Sequence, residues 1–238
     1  MKNTLQYFIL ITTLLFTTRS HAQLHIKVPS RFVETQPPAT TGKEWHRLNA
    51  SNKEYRVRNV EGTLKIDRAT DINWSLLEIP GGRLKGVDHG EFGGSLTFIP
   101  NDNTQQPIEI KEGHVRFVFS FHSKVYFIEG HSHMGFIGGA LYELTRTGNN
   151  FGYKKLLNFE DAPEALTIYK DRLLIAGYQS FYIVNNFKTE TIFKQTFWTG
   201  LYPNSIAAFD DEHVFIGMRG CIVKLDLIKR SMVFYKND

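Results

Sequence analysis

Two groups of side chains in this chain have the types and spacing for chemistry. The first is His131-x-His133 together with His89 and Glu91. Imidazole nitrogens and a carboxylate are ligands for a divalent metal, and a held metal can activate water for a hydrolase or lyase. The spacing matches no H-E-x-x-H or comparable pattern. The second group is Trp198, Tyr202, Asn204, Arg219, Tyr178 and Glu164. Trp, Tyr and Arg are enriched at binding hot spots, and rings beside amide and guanidinium groups suit a protein or glycan partner. Nucleophilic chemistry has no comparable signal: there is no G-x-S-x-G elbow and no G-x-x-x-x-G-K-[ST] phosphate loop. Gly90-Glu91-Phe92-Gly93-Gly94 lacks the strand-to-helix context of a dinucleotide fingerprint. Cys221, the single cysteine, excludes an internal disulfide and reads as a small buried hydrophobe inside a strand.

These residues act together only if the elements that carry them converge. The chain has 238 residues, with 19 Phe and 10 Tyr, and glycines punctuate short apolar runs. That profile is all-β. The stretch Pro163–Lys194 recurs forty positions later as Pro203–Phe234. Pro163 falls on Pro203, Leu166 on Ile206, Tyr169 on Phe209, Asp171 on Asp211 and Gly177 on Gly217. Gly93-Gly94-Ser95-Leu96 is echoed by Gly138-Gly139-Ala140-Leu141, and Phe121…Gly130 by Tyr169…Gly177. Each unit offers four strand-like runs, and the second is nearly continuous in apolar residues, as in Leu173–Gly177 and His213–Gly217.

A period of about forty with four strands per unit resembles the β-propeller superfamily, over roughly Gly81–Tyr235. The resemblance implies a β-propeller of five blades, or of four blades with an irregular N-terminal extension. It does not extend to a functional family. No Trp-Asp ends a third strand, both glycine pairs precede their apolar runs where Kelch repeats have them after, and Thr199-Gly200 is a lone fragment of the quinoprotein Thr-Gly…Trp signature. In antiparallel four-stranded blades the second-to-third-strand loops and the blade-to-blade connections share one face. That face is expected to carry Asp88–Phe92, His131–Phe136, Tyr178-Gln179, Met218-Arg219, Asp161–Glu164 and Trp198–Asn204.

Lys2, the apolar run Tyr7–Phe16 and Ser20-His21-Ala22 read as a secretory signal, residues 1–22, cut after Ala22. Ten apolar residues fall short of the ~30 Å hydrocarbon core, and no later run spans it. Without the leader, 26 basic residues face 24 acidic ones, and no Lys/Arg cluster suggests nucleic acid. Residues 23–43 read as a lead-in, with Leu24–Val28 a strand before a Pro/Thr-rich linker, and 44–238 as one domain. The expected product is an exported, soluble binding protein in the periplasm or medium, holding a protein or glycan on the loop face, as an inhibitor or immunity protein would. A metal-assisted hydrolase or lyase and a structural envelope component are the alternatives.

Overall fold

A computed structural model describes residues 26–69, 74–133 and 135–237. The expected leader, residues 1–22, Leu24 and Met134 lie outside the described residues. The chain is nearly all β. After strand β1 (Phe32–Thr35) and helix α1 (Lys43–Asn49) comes a hairpin, β2 (Tyr55–Val60) and β3 (Thr63–Arg68). Its turn is Glu61-Gly62, both with positive φ (50° and 77°), the geometry whose twist suits a two-residue hairpin. Four antiparallel sheets follow in chain order. The first is β4 (Trp74–Ile79), β5 (Gly82–Asp88), β6 (Gly94–Pro100) and β7 (Ile108–Glu112). The second is β8 (Val115–Phe121), β9 (Lys124–His133), β10 (Phe136–Thr147) and β11 (Asn150–Phe159). The third is β12 (Pro163–Tyr169), β13 (Arg172–Gly177), β14 (Phe181–Asn185) and β15 (Lys188–Phe193). The fourth is β16 (Ser205–Asp210), β17 (His213–Met218), β18 (Cys221–Asp226) and β19 (Ser231–Asn237), with β1 added antiparallel to β19.

The four sheets pack face to face in chain order and the hairpin packs on the fourth, each of these pairs around its own apolar cluster. Leu84, Leu96 and Phe98 of the first sheet meet Val115, Phe127 and Tyr142 of the second. Tyr126, Ile128 and Leu141 of the second meet Leu173, Ile175 and Tyr182 of the third. Leu174, Phe181 and Ile183 of the third meet Ile206, Ile216 and Val223 of the fourth. Tyr55, Val57, Leu64 and Ile66 of the hairpin meet Ala207, Phe215 and Ile222 of the fourth, with Phe32. A fully buried side chain of this size contributes about 1.5–3 kcal/mol, so these clusters fix the order of the units. Sheets covered on both faces need strands apolar at every position, which is why His213–Met218 is buried throughout.

The N-terminal third departs from expectation in three ways. Ile26–Val28 is not a strand; the pairing strand is Phe32–Thr35, beyond Pro29. Within the stretch read as strands and loops, Lys43–Asn49 is a helix, whose Trp45 and Leu48 share one face and pack into the cluster of the third and fourth sheets. Trp74–Ile79, an apolar run that reads with the hairpin as one divergent unit over Glu44–Pro80, pairs instead with Gly82–Asp88 and opens the first full sheet. No helix among the described residues is long and apolar enough to cross a membrane.

Candidate functional site

Second-to-third-strand loops and the starts of the first strands gather around a cavity of about 700 Å³. Every unit contributes to it: Glu54 and Arg56 from the hairpin, Trp74, Leu76 and Asp88 from the first sheet, Arg116 from the second, Glu164 from the third, and Tyr202, Asn204 and Arg219 from the fourth. Three guanidiniums and three carboxylates therefore share one concave surface.

Arg116 is the centre of the tightest group. Its Nε donates to Gly130 O at 3.2 Å and lies 3.0 Å from Asp88 Oδ2 in an ion pair, and its Nη1 donates to Glu164 Oε2 at 2.5 Å. Asp88 Oδ1 also contacts His114 Nδ1 at 2.9 Å. Arg116 and Glu164 both sit where the register of the first strand of a sheet slips, between Val115 and Phe117 in β8 and between Pro163 and Ala165 in β12. A bulge turns one side chain out of the alternation, and here it turns one from each strand into the cavity wall. The Glu164 side chain is only 3% exposed. Burial pushes its carboxyl up to about 7, against the opposing pull of Arg116. Asp161, at the start of the same connection, is buried, and burial raises it too, although it accepts the backbone N–H groups of Ala162 and Gln179.

Across the cavity, Arg219 Nε and Nη2 both reach Glu54 Oε1 at 3.0 Å, and its guanidinium lies 4.6 Å from the Tyr202 ring centre. The Ser205 hydroxyl accepts the Val57 N–H and donates to Asn204 Oδ1. That leaves Asn204 Nδ2 as a buried donor without an acceptor among the described residues, a state that costs about 1–3 kcal/mol. The Arg56 side chain is half-buried and makes no hydrogen bond or ion pair with any described residue.

Of the expected partner-binding residues, Tyr202, Asn204, Arg219 and Glu164 meet in this cavity. Tyr178 is half-buried beside it, its ring edge-on to Tyr202 at 6.1 Å, and burial raises its phenol. Trp198 is a correction. It is fully buried in the core of the third and fourth sheets, with Nε1 donating to Gly177 O at 3.2 Å, so it cannot touch a partner. Its indole fills the corner where Leu201 and Phe197 turn the chain.

The metal expectation is also corrected. Among the described residues no group of three or more His, Cys, Asp or Glu is placed to hold a metal ion. His131, Ser132 and His133 are not a loop but the extended end of β9, paired with Phe136–Gly138 of β10; the two imidazoles lie on the same side of the strand with ring centres 6.1 Å apart. His131 stacks on His114 at 4.0 Å, and burial followed by His114 holds its pKa below the usual value. His133 Nε2 instead meets Glu91 Oε2 at 3.1 Å. His89 stands just before the 3-10 turn Gly90–Phe92, its N–H bonded to Gly93 O. A second cleft, of about 280 Å³, is lined by His114, His131, Phe136 and the Lys111–Glu129 ion pair. Cys221 is buried, and burial raises its thiol far from thiolate chemistry.

Sequence reasoning missed Asp88, His114, Arg116, Glu54 and Arg56 as site residues. Arg116 gave the one usable signal: the only charged residue in a mostly apolar first strand, Val115–Phe121. No protein-family model matches the chain, and no curated protein matches it.

Proposed function

We propose that the five units are blades of one β-propeller, four complete and the fifth reduced to hairpin β2–β3, and that the exported mature chain binds a partner in the axial cavity. The partner is a glycan or a polypeptide segment. The observation that carries this reading is the cavity itself, to which all five units contribute polar and aromatic side chains. Concave sites with a few convergent polar groups on a rigid scaffold are where ligands bind. Binding accounts for the geometry better than acid–base catalysis does. The one carboxyl poised near neutrality, Glu164, is engaged by Arg116 on one oxygen and by Ser132 Oγ at 3.5 Å on the other. Nothing leaves that carboxylate free to meet a reacting atom.

The test is a glycan array and a peptide array probed with residues 23–238, as wild type and as Tyr202→Ala. Tyr202 is 40% exposed in the cavity mouth, so its loss should leave Tm unchanged. Saturable binding to members of one array, weakened about tenfold or more by the variant, is the expected result. Equal binding by the variant, or no binding on either array, defeats the reading.

A further inference from the structure

Four of the five junctions between units carry an apolar cluster; among the described residues, the junction between the hairpin and the first sheet has none. Register explains why. Arg56 faces Asp67 and Arg58 faces Lys65 across the hairpin, on the side opposite the buried Tyr55 and Val57. On the first sheet, Trp74, Leu76 and Glu78 pair with Val87, Lys85 and Arg83, on the side opposite the buried Leu84. Trp74 and Leu76 are 44% and 42% exposed, an unusual state for large apolar residues of an innermost strand. They line the same cavity as Arg56. The charges of that cavity are also unequal in kind. Arg116 is neutralised by Asp88 and Glu164, and Arg219 by Glu54. Arg56 alone of the three makes no ion pair among the described residues, since Asp67 opposite it is engaged by Arg58.

From this pairing of a free guanidinium with an uncovered indole we infer a binding site for an organic carboxylate. The carboxylate lies on Arg56, and the apolar face of its carrier lies on Trp74 and Leu76. A planar guanidinium fork matches the two oxygens of a carboxylate. A phosphate dianion fits less well, because Glu54, Asp88 and Glu164 line the same surface and repel a second negative charge. The carrier is a hydrophobic acid or a uronic sugar; both present one carboxylate beside a face that packs on an indole. The inference rests on the cavity being the binding site.

Trp45 and Trp198 are buried, so a fluorescence change on ligand addition reports Trp74. The probes are 3-phenylpropionate and D-glucuronate, each against its uncharged counterpart, 3-phenylpropionamide and D-glucose. Saturation-transfer NMR on the same four probes gives a readout independent of Trp74. One acid is expected to bind saturably and its uncharged counterpart about tenfold or more weaker, and Arg56→Gln is expected to remove that difference while keeping Tm. Which acid binds separates the hydrophobic carrier from the sugar. Binding by neither acid, or acid binding unchanged in Arg56→Gln, overturns the carboxylate site. Array binding that Tyr202→Ala abolishes and Arg56→Gln does not would overturn it while leaving the broader function standing. Absence of both kinds of binding removes both.

Discussion

Glu164 shows how one side chain joins stability to the site. Its carboxyl rises from an ordinary 4.5 to about 7 because burial penalises the charged form. A raised acid holds its proton longer in the folded than in the unfolded state. Folding is therefore favoured by protonation, and the contribution falls as pH climbs from 4.5 to about 7. At ~1.4 kcal/mol per unit, the loss over that window is at most roughly 3–4 kcal/mol. Glu164→Gln keeps an oxygen for Arg116 and removes the titration, so urea unfolding of the variant should lose less stability between pH 5 and pH 8 than wild type. Asp161, raised in the same direction, leaves some of the slope in place. Parallel curves for the two proteins would mean that Glu164 is not buried as described. The sequence marked Glu164 only as part of a connection. Neither its place in β12 nor its contact with Arg116 could be read from alternation, since a bulge is the point where alternation breaks. Trp198 erred the other way, because composition cannot tell a ring that packs from a ring that binds.

At the scale of elements, the repeat was legible where each copy has the same packing duty. Gly177 and Gly217 align in the sequence; Gly177 ends β13 and Gly217 is the last but one residue of β17, and neither place has room for a side chain. A Cβ on Gly217 would overlap the Tyr55 carbonyl oxygen of the hairpin, and one on Gly177 would overlap the Asp161 carboxylate. Gly130 stands against Pro163 in the same way, and Gly86 against Val115 and Val118 of the second sheet. The repeated glycine thus records close approach of a neighbouring segment. Gly217→Ala should lower stability by roughly 1–3 kcal/mol, as overpacking against fixed backbone does. Gly152→Ala is the control: its Cβ would meet only the Thr145 side chain at 3.0 Å, which can rotate. Chemical denaturation of the two variants should separate them clearly, and similar losses would remove the packing explanation. The hairpin unit escaped the same reading because it has two strands and only one buried face, so it lacks most of the positions by which copies are compared.

Over the whole molecule, the two ends of the described chain are stitched into one sheet. Phe32–Thr35 pairs with Phe234–Asn237, and Phe32 also packs edge-on against Tyr55 at 5.0 Å in the hairpin cluster. Arg31 Nη2 adds a bond to Ile66 O at 2.8 Å. The lead-in segment therefore has two tasks: it covers the outer edge of the fourth sheet, and it holds the two-stranded unit against that sheet. The tasks separate experimentally. Phe32→Ala leaves the backbone pairing and empties a buried ring site, a loss of about 3 kcal/mol. For a domain of this size that is roughly 10 °C in Tm. Deleting residues 26–36 removes the ring and the pairing together, leaving β19 with an open edge of unpaired backbone groups. The deletion should unfold at a lower temperature than Phe32→Ala and associate as its concentration rises, seen by light scattering after gel filtration. Phe32→Ala should stay monomeric at the same concentrations, because its edge remains covered. A deletion protein that stays monomeric with the Tm of wild type would show that the pairing of the chain ends does not hold the fourth sheet and hairpin together.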